Sequence, residues 1–270
     1  MAEPKLTQFK ALLFDVYGTL VDWETGIYDR LKPLLERANK PWSKKEALTA
    51  FYSVERDLQA QNPGMLYADL LAKGHAEFES RLKGGGSAAP AVTTESDPST
   101  SASGSRSGDG SADEDAEHIA FGQSIKDWPI FPDTIPALSM LSETYKLVVL
   151  SNVDRTSFAH TRAALEGPGH FTFDLVITAQ DVGSYKPSLA NFEYALKEIK
   201  EKFGIDKDGV LVVANSLAHD HVPANALGIA SCWIERPGAT MGQDAKARHV
   251  FDFKTLGDMA DAVAKEKAKS

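Results

Sequence analysis

The chain has 270 residues, 43% of them hydrophobic, enough to bury a full core as one large domain or two modest ones. Its 38 acidic residues outnumber 29 basic ones for a formal charge of −9, and without a dense basic stripe this argues against a nucleic-acid partner. The longest apolar runs are strand-sized, far short of the roughly 20 residues a membrane span needs, so no membrane insertion is expected.

In chain order, the charged start Met1-Ala-Glu-Pro-Lys5 lacks the apolar core of a secretory signal, and a cytoplasmic location is expected. The run Lys10-Ala-Leu-Leu-Phe14 reads as a buried strand that ends at Asp15 and gives way to Val-Tyr17-Gly-Thr19-Leu-Val-Asp22. Residues 23–83 read as helices. Ser43-Lys-Lys-Glu46 fits a capping box opening a helix with Leu48, Phe51, Val54 and Leu58, and a second amphipathic run covers Met65 to Leu82. From 84 to 117 the chain is Gly-, Ser-, Thr- and acid-rich with no periodic apolar positions and is predicted to be a disordered linker, because it cannot bury enough surface to offset its chain entropy.

From about Trp128, short apolar runs alternate with helical segments: Leu147–Ser151, Leu175–Ala179, Val210–Ala214 and Ser231–Glu235. That alternation predicts an α/β fold with a doubly wound, parallel, Rossmann-like sheet. The Asp15 strand belongs to the same sheet, so the expected core is 1–22 with 128–270. The helices of 23–83 and 118–127 are inserted between its first strand and the rest. Cys232, the single cysteine, excludes an internal disulfide and reads as a buried structural thiol.

Four polar clusters fall at strand ends, where sheets of this type present their chemistry. The first is Asp15 with Thr19. The second is Ser151-Asn152, anion-binding groups before a helix start. The third is Lys186 in Tyr185-Lys-Pro-Ser188, a cation that would keep a neighbouring carboxylate ionised. The fourth is Asn215-Ser216-Leu-Ala-His219-Asp220-His221.

Together these segments resemble, in order and spacing, the four motifs of the haloacid dehalogenase superfamily. Its phosphatases carry a second Asp two positions after the nucleophile and an acid at the Asn215 position; here those positions hold Tyr17 and Asn215, so two carboxylates that would grip Mg²⁺ are missing. The closest resemblance is therefore to the type II L-2-haloacid dehalogenase branch, which needs no metal or other cofactor. It implies a hydrolase that cleaves the carbon–halogen bond of short 2-haloacids through an aspartyl ester, acting on a small anionic substrate, with an inserted helical cap and a homodimer as in that branch. The resemblance makes Asp15 the nucleophile, Thr19 its support, Lys186 its electrostatic partner and Asp220 the positioner of the hydrolytic water. Tyr17, Ser151, Asn152, Asn215 and Ser216 become substrate-binding groups.

Two departures stand out. The family orients water with an Asn where this chain has Leu217, leaving Asp220, His219, His221 and Glu24 as candidates for activating it. The family also sets a cap arginine beside the departing halide; Arg56, in Tyr52-Ser-Val-Glu-Arg-Asp57, is the candidate, with a solvated ion pair as the other reading. A Mg²⁺-dependent phosphatase of the same superfamily and a non-catalytic binding descendant are the alternative functions.

Overall fold

The computed structural model describes residues 4–84, 112–243 and 245–269. Among them, six strands form one parallel sheet in the order β3-β2-β1-β4-β5-β6. These are β1 (Ala11–Phe14), β2 (Lys146–Ser151), β3 (Leu175–Thr178), β4 (Val210–Ala214), β5 (Ala230–Ile234) and β6 (Phe251–Phe253). The α/β class and doubly wound arrangement expected from the alternating apolar runs are what the chain adopts. The edge strand β6 is new: at three residues, the middle one exposed, it is too short to stand out from a loop.

After β1 come α1 (Trp23–Arg37), α2 (Lys44–Gln61), α3 (Tyr67–Lys83) and α4 (Ala112–Gly122). The remainder run α5 (Thr134–Ser142), α6 (Arg155–Gly169), α7 (Ala179–Val182), α8 (Leu189–Phe203), α9 (Val222–Leu227) and α10 (Leu256–Lys267). Alternate residues of β1 point to opposite faces. Leu12 and Phe14 join a core with Leu138 and Leu141 of α5 and Met259 and Val263 of α10, while Ala11 and Leu13 pack with Phe192, Ala195 and Ile199 of α8. With both faces covered, the central strand is apolar throughout, as parallel sheets require.

The predicted capping box at α2 forms, with Ser43 N donating to Glu46 Oε2 at 2.8 Å and Glu46 N to Ser43 Oγ at 3.3 Å. The α1–α4 module has its own aromatic centre, where Phe51 meets Phe78 and Phe121 with ring centroids 5.7 and 5.3 Å apart. The expected linker needs one correction. Residues 85–111 of it lie outside the described residues, but 112–117 are the first turns of α4. Asp113, Glu114 and Asp115 there favour a helix N-terminus, where backbone N–H groups concentrate positive charge, and Glu117 pairs with Arg37 at 2.8 Å. Composition alone did not separate acidic helix start from acidic coil.

Candidate active site

The strand order reverses about β1, which pairs with β2 on one side and β4 on the other, so the crevice at its C-terminal end is the switch point of the sheet. Asp15 stands there as the first residue beyond β1, its N–H still donating to Val213 O at 3.1 Å. Both of its carboxylate oxygens are held: Thr19 Oγ1 donates to Oδ2 at 2.6 Å and Lys186 Nζ to Oδ1 at 2.8 Å. Thr19 is itself fixed by Asn215 N–H, which donates to its hydroxyl at 2.9 Å, and so ties the β1 turn to the end of β4. The turn depends on Gly18, whose φ of 104° suits glycine alone, and a β-carbon there would come within 3.1 Å of the Trp23 indole nitrogen.

Lys186 is 2% exposed and reaches a second carboxylate, Asp220 Oδ1, at 2.7 Å. Burial alone would draw down the pKa of this ammonium, but Asp15 and Asp220 outweigh it and hold the lysine charged above its ordinary range. Asp220 moves the other way. Desolvation lifts its carboxyl well above the usual carboxylate range, with Asp15 adding to the rise and Lys186 opposing it. Its second oxygen, Oδ2, is buried and makes no hydrogen bond, and the same is true of Ser151 Oγ at the end of β2. Two polar atoms without protein partners thus accompany the Asp15–Lys186 pair. Buried polar atoms of this kind call for an explanation, and a ligand or a water supplies one.

The structure brings Asp15, Thr19, Lys186 and Asp220 into one hydrogen-bonded cluster. It does not bring together the rest of the expected set. Asn152 grips the Lys186 backbone with both ends of its amide, accepting from N at 2.6 Å and donating to O at 3.1 Å, so it positions the lysine loop and its side chain is not free to receive a substrate. Asn215 is likewise spent, donating to Ile234 O and Glu235 O at 2.8 and 2.9 Å and accepting from Gln243 at 3.1 Å. Ser216 Oγ caps the turn Leu217–His221 by accepting from His219 N at 3.2 Å. Tyr17 turns away to share a hydrogen bond with Thr161 of α6 at 2.8 Å, its phenol raised by burial, and it meets Trp128 edge-on at 5.4 Å. Tyr17→Phe should therefore cost about 1 kcal/mol of stability for the lost hydrogen bond, measured by denaturant unfolding, and leave turnover unchanged.

Arg56 is the clearest correction. Its side chain is 68% exposed and its ion-pair partner is its neighbour Asp57 at 3.9 Å, so the solvated reading holds. Along α2 the buried positions include Glu55 and Leu58, and Tyr52 OH lies 3.5 Å from His219 Nε2. The helix thus presents Tyr52 and Glu55 to the rest of the molecule, one residue out of phase with the arginine. Arg56→Ala should leave turnover intact and shift stability by less than about 0.5 kcal/mol, checked by assay and melting curve.

Of the candidates for activating water, Glu24 is committed to the loop after β5, accepting from Thr240 N and Met241 N at 2.8 and 2.9 Å. His221 is committed to Ala214 O and Ser231 Oγ at 3.0 and 2.9 Å. His219 is neutral, its pKa lowered by burial and by the nearby Lys186 charge. Two residues near the cluster escaped the sequence reading. Arg236, 3% exposed, donates from Nε to Thr19 O at 2.8 Å while pairing with Asp133 at 2.5 Å, and so buttresses the nucleophile turn. Asp154 caps α6 through Ser157 N at 2.8 Å and also accepts from Ala68 N of α3 at 3.3 Å. A lone arginine after β5 and an acid at a helix start carry no sequence signal of these tertiary roles.

A divalent cation would need hard oxygen ligands beside Asp15. Tyr17 faces Thr161, the Asn215 amide oxygen is held by Gln243, and the space shared by Asp15 and Asp220 contains an ammonium at 2.8 and 2.7 Å. Among the described residues no group of three or more His, Cys, Asp or Glu side chains is arranged to hold a metal ion. The donor set does not suit Mg²⁺.

The comparisons with known proteins agree on the fold. No curated protein matches the chain. Among solved structures it resembles L-2-haloacid dehalogenase from Xanthobacter autotrophicus, at TM-score 0.67 and 17% identity, over 95% of this chain and 99% of that one. It also resembles the defluorinating L-2-haloacid dehalogenase Rha0230, at 0.67 and 16% over 96% and 98%. A third is the putative HAD-hydrolase YfnB from Bacillus subtilis, solved with magnesium, at 0.64 and 16% over 95% and 99%. The family described as haloacid dehalogenase-like hydrolase matches residues 9–204, a span that contains Asp15, Ser151 and Lys186, and the chain is a member of that family.

Proposed function

We propose that this hydrolase cleaves the carbon–halogen bond of short 2-haloacids through an ester of Asp15, without a metal. The observation that carries the reading is that Tyr17 and Asn215, at the positions where the superfamily's phosphatases hold acids, spend their polar groups on Thr161, Ile234, Glu235 and Gln243, so neither offers a carboxylate to a divalent ion beside Asp15. The Lys186 ammonium offsets the negative charge of Asp15 as an anionic substrate approaches.

In the first step an Asp15 oxygen displaces halide from C2, forming the C2–O bond as the C2–X bond breaks and the electron pair leaves with X⁻. The substrate carboxylate is received by Ser151 Oγ and by the backbone amides ahead of α6, where anions are favoured. In the second step water attacks the ester carbonyl and gives one proton to Asp220 Oδ2; the bond from that carbon to the C2 oxygen then breaks, the leaving oxygen takes the proton remaining on the added water, and the 2-hydroxy acid departs with Asp15 restored as a carboxylate. A carboxyl with a raised pKa is a competent base near neutral pH, and its other oxygen remains tied to Lys186. The α1–α4 module acts as the cap that excludes bulk water from this chemistry.

The test is release of chloride or bromide from a panel of 2-haloacids with EDTA present. Release is expected to be undiminished by the chelator. Turnover that requires Mg²⁺, or hydrolysis of phosphate esters in its place, would overturn the reading.

A further inference from the structure

Helix α3 begins without a cap of its own. Leu66 holds the N-cap position, and a leucine has no side-chain oxygen to accept from the first-turn N–H groups, which lack partners within the helix. The acceptor comes from the core instead: Asp154 Oδ2 takes the N–H of Ala68, the second residue of α3, at 3.3 Å. A carboxylate is favoured at that end of a helix, and Asp154, 4% exposed, is shielded from water there. Its two oxygens divide the work. Oδ1 accepts from Ser157 N at 2.8 Å and so caps α6, while Oδ2, which also accepts from Ser157 Oγ at 2.7 Å, reaches across to α3.

A second bond ties the same entry to the core, with Tyr185 OH donating to Met65 O at 2.6 Å. Two cavities, of about 80 and 440 Å³, share Leu66 and Asp154 in their linings, and the smaller is lined by Met65 and Tyr185 as well. Apolar packing is therefore incomplete at this seam, and the hydrogen bonds of Asp154 and Tyr185 span it.

Both core residues lead to the Asp15 cluster. Tyr185 directly precedes Lys186, whose ammonium joins Asp15 to Asp220. Asp154 follows Ser151 and Asn152 at the end of β2, and the Asn152 amide grips the Lys186 backbone at both N and O. The start of α3 is thus connected to the Lys186 backbone by two short routes, one through Tyr185 and one through Asp154 and Asn152.

We infer that Asp154 and Tyr185 form the latch between the α1–α4 module and the core, and that both are positioning residues for Lys186. Asp154 completes the open N-terminus of α3, and Tyr185 holds the carbonyl just ahead of it, only when the module is seated; the same contacts fix the Lys186 loop. With the latch released, the crevice still admits substrate, but the ammonium is correctly set in fewer molecules. The inference takes from the haloacid reading only the reaction to be assayed.

The test is hydrogen exchange of the full chain, followed by mass spectrometry, beside kcat for halide release. Asparagine caps helices as well as aspartate, so in Asp154→Asn the first turn of α6 is expected to exchange at the wild-type rate, while the NH₂ that replaces Oδ2 opposes the Ala68 N–H donor to donor. In Asp154→Asn and in Tyr185→Phe, exchange over residues 65–70 and over 183–188 is expected to quicken at least about fivefold, the effect of one hydrogen bond, and kcat to fall by about the same factor. The strands should keep their wild-type rates, which a general loss of stability would not allow. Leu66→Ser, added to Asp154→Asn, gives α3 a cap from its own chain; it should restore slow exchange at 65–70 and leave 183–188 and kcat impaired. If 183–188 keeps its wild-type rate in both single variants, or if the added serine recovers kcat, the latch is wrong whatever the chain hydrolyses. If exchange responds as expected but no 2-haloacid is turned over, the haloacid reading is wrong and the latch stands.

Discussion

Asp15→Asn is expected to reduce halide release by at least about 10³-fold, because an amide oxygen is a poor nucleophile and no second carboxylate is free to replace it. Asp220, the other buried acid of the cluster, is tied to Lys186 through Oδ1. The fold should survive the change. Asn offers the same shape to Thr19 Oγ1 and still presents an oxygen to Lys186, which keeps its ion pair with Asp220. The decisive measurement pairs a halide assay with mass spectrometry of enzyme quenched during turnover, in which wild-type Asp15 should carry the alkyl group of the substrate. A phosphorylated Asp15 would mean that the chain transfers phosphoryl groups.

Lys186→Met should cost more in stability than any other single change in the site, about 3–5 kcal/mol, since it leaves two buried carboxylates facing each other without a cation. The loss should depend on pH. A carboxyl whose folded pKa is raised binds its proton more tightly in the folded than in the unfolded chain, so its contribution is full below the ordinary carboxylate range and is lost as pH rises through the raised value. Asp220 already lies in that direction, and without Lys186 the rise is larger. Denaturant unfolding of Lys186→Met should therefore show a deficit greater at pH 8 than at pH 5, and equal deficits would show that the ammonium is not what stabilises the acids. Turnover should fall as well, because the charge that offsets an approaching anionic substrate is gone.

The two variants probe different links. Asp15→Asn removes the attacking atom and leaves Lys186 paired with Asp220, whereas Lys186→Met spares the attacking atom and removes the cation between the two acids. Stability should separate them clearly.

The sheet was legible from one residue to the next, because burial on both faces of a parallel strand leaves an uninterrupted apolar run, and such runs at 147–151, 175–178 and 210–214 need no partner to be recognised. The cluster of Asp15, Thr19, Lys186 and Asp220 was legible for a related reason: each follows a strand of that sheet, and parallel strands deliver their C-terminal ends to one edge whatever the intervening chain does. What tertiary structure alone decided was the direction of each remaining side chain. Tyr17, Asn152, Asn215 and Ser216 all lie close in sequence to groups of the site, yet each spends its hydrogen bonds on the scaffold. On α2 a rotation of 100° separates Glu55 from Arg56, so which of the two is buried belongs to the packing of Phe51 and Leu58 against their neighbours and not to the local sequence. Spacing along the chain set which strand end each group would reach; the packing of one face against another set which of those groups remained free to act.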